Sequence, residues 1–441
     1  MSNHPNIKKH LNKTLKSIND GECLFLYTQK TVLVEDWTNL LTNYNKKIFY
    51  ISYAEKKDYL AIGRCSEFNL DSKKELLTLK NLSYNIHSYG ENVNKNLKIF
   101  GGVSFDMDGT SYKPWDDIPK GSFFIPEFLI TKDNNECFIS YFTLLNKNSD
   151  IEKINAHYTR SLEDFSTYLN TSCQNNLKFD ENVPNRTDYS NIFNKFSNNI
   201  IEGTINKAIL SRTKEFSIEN KAILKNTHSP CTTFYIDLLD SKRFFGSTPE
   251  ILISVNNKTY NSAAIAGTLK KEENKTSEVR LSEFLDDPKE LLEHKYVVDD
   301  LTKKLDKRSD QINIAKKPKL LELDHLYHLH TPISGTLKDN SHILDLLYEL
   351  YPTPAVLGYP KESALEVIRE HEPFDRGWYG GCVGWFDLDG NGRFDVAIRS
   401  ALQSNRKLYC YAGGGILEDS KEGQEWDEAE LKFQHLLSLI D

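Results

Sequence analysis

The sequence lacks any hydrophobic run that approaches the roughly 20 residues of a membrane-spanning helix. Its lysine-rich N-terminus, MSNHPNIKKHLNKTLKSIND, lacks the apolar segment of a secretory signal and the arginine of a transit peptide. We interpret this segment as an amphipathic surface helix, because Ile7, Leu11, Leu15 and Ile18 recur at helical spacing. These absences predict a cytoplasmic protein that does not span a membrane.

Closely spaced cysteine pairs are also missing. The seven cysteines are far apart, and no two of them form a CxxC motif. An odd number without close pairs is atypical of a disulfide framework or a cysteine-based zinc site. The cysteines therefore predict reduced thiols that serve mostly as packing residues, again in a cytoplasmic protein.

The chain has no excess of positive charge. It contains 55 Lys and Arg against 63 Asp and Glu, and both signs are mixed along its length. Because nucleic acids and acidic membrane surfaces bind basic patches, the composition predicts neither as a partner. With 441 residues and 39% hydrophobic content, the chain is long enough for two to three domains or one large α/β unit.

Regular patterns become clear after residue 190. Residues 179–190, FDENVPNRTDYS, are the best candidate for a linker between an N-terminal part and the rest. A helix is predicted at about 288–308 and another at about 423–440, because apolar residues recur there with the helical period. Between these helices and before them, short β-rich segments such as KAILSR, TTFYIDLL and VGWFDL predict strands.

Two segments resemble metal sites but do not predict them. DLDGNGRFD, 387–395, opens like a calcium-binding EF-hand loop, yet the twelfth position is Ile398 where a glutamate is required. A hairpin turn fits this segment better, since strand-like sequence flanks it. DHLYHLHTP contains His325, His328 and His330, but no cysteine or HExxH pattern completes a zinc site. We expect one of these histidines to hydrogen-bond a ligand instead.

Several polar residues have ordinary structural interpretations when each is taken alone. Lys207 precedes the apolar run Ala208-Ile209-Leu210 and is typical of a charged strand end. Glu250 in FFGSTPEIL is typical of a surface turn. The glycines of YAGGGILEDS fit a tight turn as well as backbone amides that approach an anion.

The final predicted helix carries three charged residues on one face. Glu425 and Glu428 lie three residues apart, and Lys432 follows four residues after Glu428. Solvated ion pairing is the ordinary interpretation. Alternatively, Glu428 and Glu293 of the earlier helix could together bind Mg²⁺, although spacing does not show that the two helices meet.

Taken together and in order, the segments from about Asn206 to Leu437 resemble the chorismate-utilising enzymes. This family includes isochorismate, anthranilate, aminodeoxychorismate and salicylate synthases. The N-terminal half is similar more weakly, in AIGRC and FGGVSFD. The matching segments are KAILSR, FFGSTPE, AIAGT, EHKYVVDDL, LYHLHTPISG, PTPAVLGYP, EPFDRGWYGGCVGW, VAIRSAL, YAGGGI and EWDEAELK.

The resemblance implies one large α/β (α+β) unit of two facing β-sheets with outer helices and a cleft between the sheets. In it, residues 1–190 would form the N-terminal part and residues 191–441 the chorismate-binding catalytic region. Within the family, PTPAVLGYP and FDRGWYGGCVGW are most similar to isochorismate synthases of the menaquinone or phylloquinone type. Ala266 stands where aminodeoxychorismate synthases have a nucleophilic lysine. Salicylate synthase and anthranilate synthase component I remain alternatives within this fold. A non-catalytic paralogue would have lost residues that are present here.

The resemblance also assigns roles to individual residues. It implies that Lys207 is a general base for water and Glu250 a general acid for the leaving hydroxyl, each in its neutral form. It implies Mg²⁺ as cofactor, held by Glu293 and Glu428, with Glu425 as an outer or water-mediated ligand. No amidotransferase subunit is expected. The substrate-binding positions implied for chorismate are Gly267, Thr268, His328, Arg399, Tyr411, Gly413, Gly414, Gly415 and Lys432.

Overall fold

The computed structural model describes most of the chain, and its elements are numbered here in chain order. The described residues are 7–18, 21–31, 41, 46–55, 57–90, 97–134, 136–167, 177–222, 230–271, 275–323 and 326–440. The α-helices are α1 (Lys8–Ser17), α2 (Ile151–Thr167), α3 (Arg186–Ile201), α4 (Ser277–Leu285), α5 (Pro288–Asp306), α6 (Ile343–Leu350), α7 (Lys361–His371) and α8 (Glu422–Ser438), with a 3-10 helix at Lys73–Asn81.

The strands fall into two sheets. They are β1 (Cys23–Lys30), β2 (Ile48–Tyr53), β3 (Lys57–Ile62), β4 (Ser66–Leu70), β5 (Ile86–Gly90), β6 (Lys98–Val103), β7 (Gly121–Ile125), β8 (Phe128–Asp133), β9 (Glu136–Leu145), β10 (Leu177–Val183), β11 (Lys207–Ile218), β12 (Thr232–Leu239), β13 (Lys242–Thr248), β14 (Ile251–Asn256), β15 (Thr259–Lys270), β16 (Ser309–Ile314), β17 (Lys319–Glu322), β18 (Leu326–Leu337), β19 (Gly358–Tyr359), β20 (Cys382–Asp387), β21 (Gly392–Val396), β22 (Ser400–Ser404) and β23 (Lys407–Ile416).

The order of the strands interleaves the two ends of the chain. The larger sheet runs β10-β11-β23-β22-β13-β12-β2-β3-β8-β9-β1-β5, with β19 beside β11. The smaller sheet runs β16-β18-β15-β14-β21-β20-β6-β7-β4, with β17 beside β18. In the described pairs, β1 and β5 run parallel and the other neighbours antiparallel. Both sheets therefore contain strands from before and after residue 190. The division of the chain into an N-terminal part and a catalytic region at that residue stays a prediction.

The main core lies between the two sheets. Phe49 and Ile51 of β2 meet Phe100 of β6 and Phe124 of β7, and the Phe49 and Phe100 ring centroids are 5.4 Å apart. A second apolar layer covers the other face of the larger sheet beneath α1, α2 and α8. The prediction for the N-terminal helix is confirmed, because α1 buries Leu11 in this layer. The fold is thus the predicted pair of β-sheets with outer helices.

The prediction of a linker at residues 179–190 is wrong. Residues 177–183 form β10, which pairs antiparallel with β11, and α3 begins at Arg186. The Asn185 side chain accepts a hydrogen bond from the Asp188 N–H and so caps this helix. Most β10 side chains are exposed. Because the backbone ladder stabilises this edge strand, its sequence carries little of the apolar alternation that identifies a strand.

Other local predictions are confirmed. Residues 387–392 form the turn between β20 and β21, where Asp387 accepts backbone hydrogen bonds from Asp389 and Asn391 at 3.0 and 2.9 Å. Helix α5 covers the predicted 288–308 region, with Asp287 as N-cap and Pro288 in its first turn. In the described ranges, no helix has the length and apolarity needed to cross a membrane.

Candidate active site

A narrow pocket lies between the two sheets, where β11 and β23 face β15 and β18. Its volume is about 70 Å³. The pocket brings together nine residues that the sequence analysis singled out for catalysis, metal or substrate binding. They are Glu250, Gly267, Thr268, Glu293, His328, Arg399, Tyr411, Gly413 and Lys432.

Lys207 lies directly behind this pocket wall. It is the first residue of β11 and is fully buried. Its Nζ is 3.0 Å from Glu293 Oε1 of α5, although no N–H of the amine is aligned on a described acceptor. Ala208, Ile209 and Leu210 of the predicted apolar run are all buried, but a carboxylate adjoins the amine as well.

The glycines of β23 make room for this pair. A Cβ on Gly415 would lie 2.6 Å from Glu293 Oε1 and 3.1 Å from Lys207 Cε. A Cβ on Gly414 would lie 3.0 Å from Glu425 Oε2 instead. Gly415 thus adjoins the Lys207–Glu293 pair, whereas Gly414 adjoins Glu425, which is buried and paired with Lys289.

We expect Gly415→Ala to lower kcat by about 10²-fold, because misplacing reacting groups by about 1 Å costs that much. Gly423→Ala, in the first turn of α8, is the matched control and should retain most of the activity, since a Cβ there meets no described atom closer than Arg186 Nη2 at 3.9 Å. Steady-state kinetics of both variants, with circular dichroism to verify folding, provide the measurement. Equal losses in the two variants would contradict the special role of Gly415.

Glu250 is buried at the end of the turn between β13 and β14. Thr353 Oγ1 lies 3.5 Å from its Oε1, and Lys207 and Arg399 are the charged groups that act on it. Burial raises its pKa to about 8, and the two cations oppose this only in part. The carboxyl group therefore holds its proton at neutral pH.

Four carboxylates from two helices converge beside the pocket. Glu293 and Glu290 lie on α5, and Glu425 and Glu428 lie on α8. Burial and the charges of Glu293 and Glu428 raise the pKa of Glu290 to about 8. Burial and Glu428 likewise raise the pKa of Glu425 to about 7. Sequence spacing could not show whether α5 and α8 meet, and the structure shows that their carboxylates do.

Glu290 was missed by the sequence analysis. It accepts a hydrogen bond of 2.8 Å from the Thr268 N–H. Its position three residues before Glu293 in PKELLEHK places both on one face of a helix, and this spacing could have identified it.

Lysines balance the charge of these carboxylates. Lys289 Nζ is 2.7 Å from Glu425 Oε1 and 3.7 Å from Glu290 Oε1. Lys432 Nζ is 2.6 Å from Glu428 Oε1. Burial opposes ionisation of Glu428, but Lys432 outweighs it and holds the pKa of that carboxyl below its usual value.

The carboxylates fit a hard divalent cation by their chemistry. Their oxygens are the ligands that Mg²⁺ prefers, and their mutual repulsion would be relieved by a positive ion. Mg²⁺ usually keeps several waters and takes one or two protein carboxylates. The described residues contain no group of three or more His, Cys, Asp or Glu side chains placed to hold a metal ion together. Among the described residues, the histidines of the β18 segment do not form such a cluster either. His325 lies outside the described residues.

Arg399 points an unused donor group toward the pocket. Its Nη2 donates a 3.0 Å hydrogen bond to His328 Nε2, whose Nδ1 donates to the Gly267 carbonyl at 2.8 Å. Burial, aided by Arg399, lowers the pKa of His328 to about 3, so the imidazole is neutral and can accept. Arg399 Nη1 is buried without a partner in the described part of the protein. A guanidinium held in this way suits a carboxylate.

Backbone irregularities position these groups. Arg399 has a φ of 51°, which is uncommon for a residue with a side chain and marks the break between β21 and β22. Gly267 has a φ of 78° at a β-bulge opposite β18, and the bulge directs the Thr268 N–H toward Glu290. Ala266, beside this bulge, lines the pocket with a methyl group.

Aromatic side chains form the far wall. The Tyr411 hydroxyl accepts a 2.9 Å hydrogen bond from Trp115 Nε1. Its ring stacks on Tyr379, with centroids 5.2 Å apart and an interplanar angle of 19°. Tyr379 also lines the pocket, and the sequence analysis quoted its motif without assigning it a role.

The glycine run of β23 is a strand and not a tight turn. Gly413, Gly414 and Gly415 lie opposite Ser211, Leu210 and Ile209 of β11, and the pairing with β22 ends at Tyr411. Antiparallel pairing commits only alternate amides to the neighbouring strand.

Comparison with known proteins agrees with this arrangement. The sequence model described as "chorismate binding enzyme" matches residues 14–441. The isochorismate synthase MenF of Bacillus subtilis is 31% identical over 78% of this chain and 74% of its own length. The salicylate biosynthesis isochorismate synthase of Pseudomonas aeruginosa is 41% identical over 43% of this chain and 40% of its own length.

Solved structures share the fold. The menaquinone-specific isochorismate synthase MenF of Escherichia coli superimposes with a TM-score of 0.79 at 22% identity, covering 98% of both chains. Anthranilate synthase component I of Streptococcus pneumoniae gives a TM-score of 0.65 at 20% identity, covering 90% of this chain and 91% of the other. The match of the family model to nearly the whole chain shows that this protein belongs to the chorismate-binding enzymes.

Proposed function

We propose that this protein is an isochorismate synthase, an isomerase that converts chorismate reversibly to isochorismate with Mg²⁺ as cofactor. The observation that carries the proposal is a pair of buried groups: Glu250 lines the pocket together with Ala266, and Lys207 is buried behind the pocket wall. A lysine at position 266 would favour covalent attack on the ring. A methyl group there excludes that route, so the nucleophile is a free molecule, which is water in the proposed reaction.

The reaction needs a base and an acid. Lys207, in its neutral form, accepts a proton from water as the water oxygen bonds to C2 of chorismate. The ring double bonds shift, and the C4–O bond breaks. Glu250 donates its proton to the departing C4 hydroxyl, which leaves as water. One water enters and one leaves, so the net change is an isomerisation.

The substrate carries two carboxylates, and the pocket offers a separate partner for each. Arg399 Nη1, with Tyr411 beside it, suits the enolpyruvyl carboxylate. Thr268, Lys432 and the backbone at Gly413 suit the ring carboxylate and hydroxyls. These contacts would fix C2 and C4 relative to the base and the acid.

The ring carboxylate would also reach the metal. Glu293 and Glu428 would hold Mg²⁺, with Glu425 through water and Glu290 as a further carboxylate. When bound, Mg²⁺ supplies positive charge that offsets the approach of the substrate carboxylate to these glutamates. Because Glu293 also pairs with Lys207, metal binding competes with the lysine for this carboxylate.

The remaining assignments follow from this activity. A cytoplasmic location, chorismate as the small-molecule partner, and a role in menaquinone or phylloquinone biosynthesis are part of the proposal. The names of the B. subtilis and E. coli relatives support it. The proposal needs no amidotransferase subunit, since water and not ammonia is the nucleophile.

We expect purified protein with chorismate and Mg²⁺ to form isochorismate, with or without added ammonium. Separation of the products by chromatography is the measurement. Formation of salicylate would favour the salicylate synthase alternative. Formation of anthranilate that depends on ammonium would favour the anthranilate synthase alternative. Unchanged chorismate, from folded protein, would contradict all three activities.

We also expect EDTA to abolish turnover and added Mg²⁺ to restore it. The physical reason is that the carboxylates assigned to the metal, Glu293 and Glu428, would otherwise repel the dianionic substrate. Initial rates across a Mg²⁺ titration, before and after chelation, test this. Activity that is indifferent to EDTA would overturn the metal assignment.

A further inference from the structure

A second and larger cavity adjoins the active-site pocket. Its volume is about 730 Å³, within the usual range of roughly 300–1,000 Å³ for small-molecule sites. It is bounded by residues 105–114, the end of α7 and the ends of β11 and β23. Tyr411 lines both this cavity and the active-site pocket.

Aromatic rings make up much of the wall. Tyr112 is 62% exposed, which is unusual for a large aromatic side chain, and its backbone N–H donates to Asp375 Oδ2 at 3.0 Å. The Phe374 and Tyr411 ring centroids are 6.1 Å apart. Phe105 and Tyr409 complete the aromatic lining. Flat apolar ligands bind well between such rings.

The lining is also acidic. It contains five carboxylates, Asp106, Asp108, Glu215, Glu372 and Asp375, against three cations, Lys113, Arg369 and Arg376.

Two of these cations are already paired. Arg369 donates to both oxygens of Asp106 at 2.7 Å, and Arg376 pairs with Glu372 at 2.6 Å. Glu215 pairs with Lys407 from outside the lining at 3.3 Å. Asp108 and Asp375 then remain against Lys113, so the carboxylates still outnumber the cation.

We infer that this cavity is a second binding site whose ligand is a small organic cation, an amine attached to a flat apolar group. Aromatic faces and carboxylates both attract such a cation. The same charges repel a dianion such as chorismate, so the ligand is chemically distinct from the substrate of the active-site pocket.

Tyr411 connects the two sites. A ligand packed against Phe374 and Tyr411 would shift the Tyr411 ring, which stacks on Tyr379 in the active-site wall. Occupancy of the cavity therefore changes how the pocket binds its own ligand, and the coupling is reciprocal. This coupling rests on the proposed function, whereas binding to the cavity does not.

The experiment compares benzylamine with its neutral analogue, benzyl alcohol, by isothermal titration calorimetry of the whole protein. We expect one benzylamine site per chain and affinity about tenfold above that of benzyl alcohol, as expected for a cation beside rings and carboxylates. Equal affinities, or no benzylamine binding, would overturn the inference.

Charge-neutralising variants locate the site. Asp375→Asn and the exposed Asp108→Asn should each weaken benzylamine binding several-fold. Asp116→Asn, on the same loop but outside the lining, is the matched control and should bind as the wild type does. If both cavity variants bind benzylamine as the control does, the cavity is not the benzylamine site. Should Asp375→Asn misfold, Asp108→Asn alone still tests the inference.

Initial rates of isochorismate formation test the coupling. Benzylamine should change the rate with a midpoint that matches its calorimetric dissociation constant, and Phe374→Leu should reduce this response. An unchanged rate at saturating benzylamine would overturn the coupling through Tyr411. A protein that forms no isochorismate but binds benzylamine in the cavity would contradict the proposed function and leave the binding site standing.

Discussion

Lys207→Gln is expected to lower kcat by about 10²–10⁴-fold, the range that a positioned general base contributes. Glutamine fills a similar volume but cannot accept the proton of the attacking water. Because Lys207 is fully buried with its Nζ 3.0 Å from Glu293 Oε1, the variant also removes the amine beside that carboxylate. Rapid-quench or steady-state rates of isochorismate formation measure the loss.

The control for this variant lies in the same strand. Lys214 of β11 pairs with Glu430 on the surface of α8, away from the pocket, and Arg212 continues to hold that carboxylate when the lysine is changed. Lys214→Gln should keep near-normal activity. Thermal unfolding of both variants separates a loss of chemistry from a loss of fold. Full activity in folded Lys207→Gln would remove this residue from the mechanism.

Glu250→Gln is the second change with a large expected effect, again about 10²–10⁴-fold in kcat. The amide has the shape of the protonated carboxyl group but has no proton to give to the leaving hydroxyl. It should therefore bind chorismate with nearly unchanged affinity while turnover is lost. Calorimetry measures the affinity for chorismate, and kinetics measure the turnover. An affinity that falls as much as kcat would contradict a role of Glu250 in chemistry alone.

The pH dependence gives an independent measure of Glu250. Its folded pKa of about 8 lies above the ordinary value, so the carboxyl is protonated below that pH and ionises above it. Activity of the wild type should fall as pH rises through about 8. This alkaline limb should be missing from the residual activity of Glu250→Gln. Glu215→Gln is the control: Glu215 is a half-buried carboxyl group of raised pKa outside the active-site pocket, so its variant should keep the limb.

Much of the fold follows from local patterns in the sequence. Helix α5 lies at Pro288–Asp306, where apolar spacing predicted a helix at about 288–308, and α8 lies at Glu422–Ser438. These helices bury one apolar stripe each, which is the feature that periodicity detects. Strand β10 escaped detection because an edge strand depends on its backbone ladder more than on its side chains.

The candidate site was harder to predict in detail. The resemblance to a family pointed to Lys207, Glu250 and Arg399 individually, and the structure places Glu250 and Arg399 in one pocket with Lys207 behind its wall. The pairing of Lys289 with Glu425 and of Lys207 with Glu293 could not be predicted, since each joins elements far apart in the chain. Sequence spacing reports neighbours within one helix, but not which charges meet across two.

The position of β23 affects when the protein can first become active during synthesis. This strand is the last one in the described part of the chain, yet it lies between β11 and β22 inside the larger sheet. Until it is made, nothing joins β11 to β22, and α8, which carries Glu425 and Glu428, is absent. A ribosome that stops before residue 407 therefore releases a chain with an open sheet and no complete site. Activity therefore depends on residues 407–438, which supply β23 and α8.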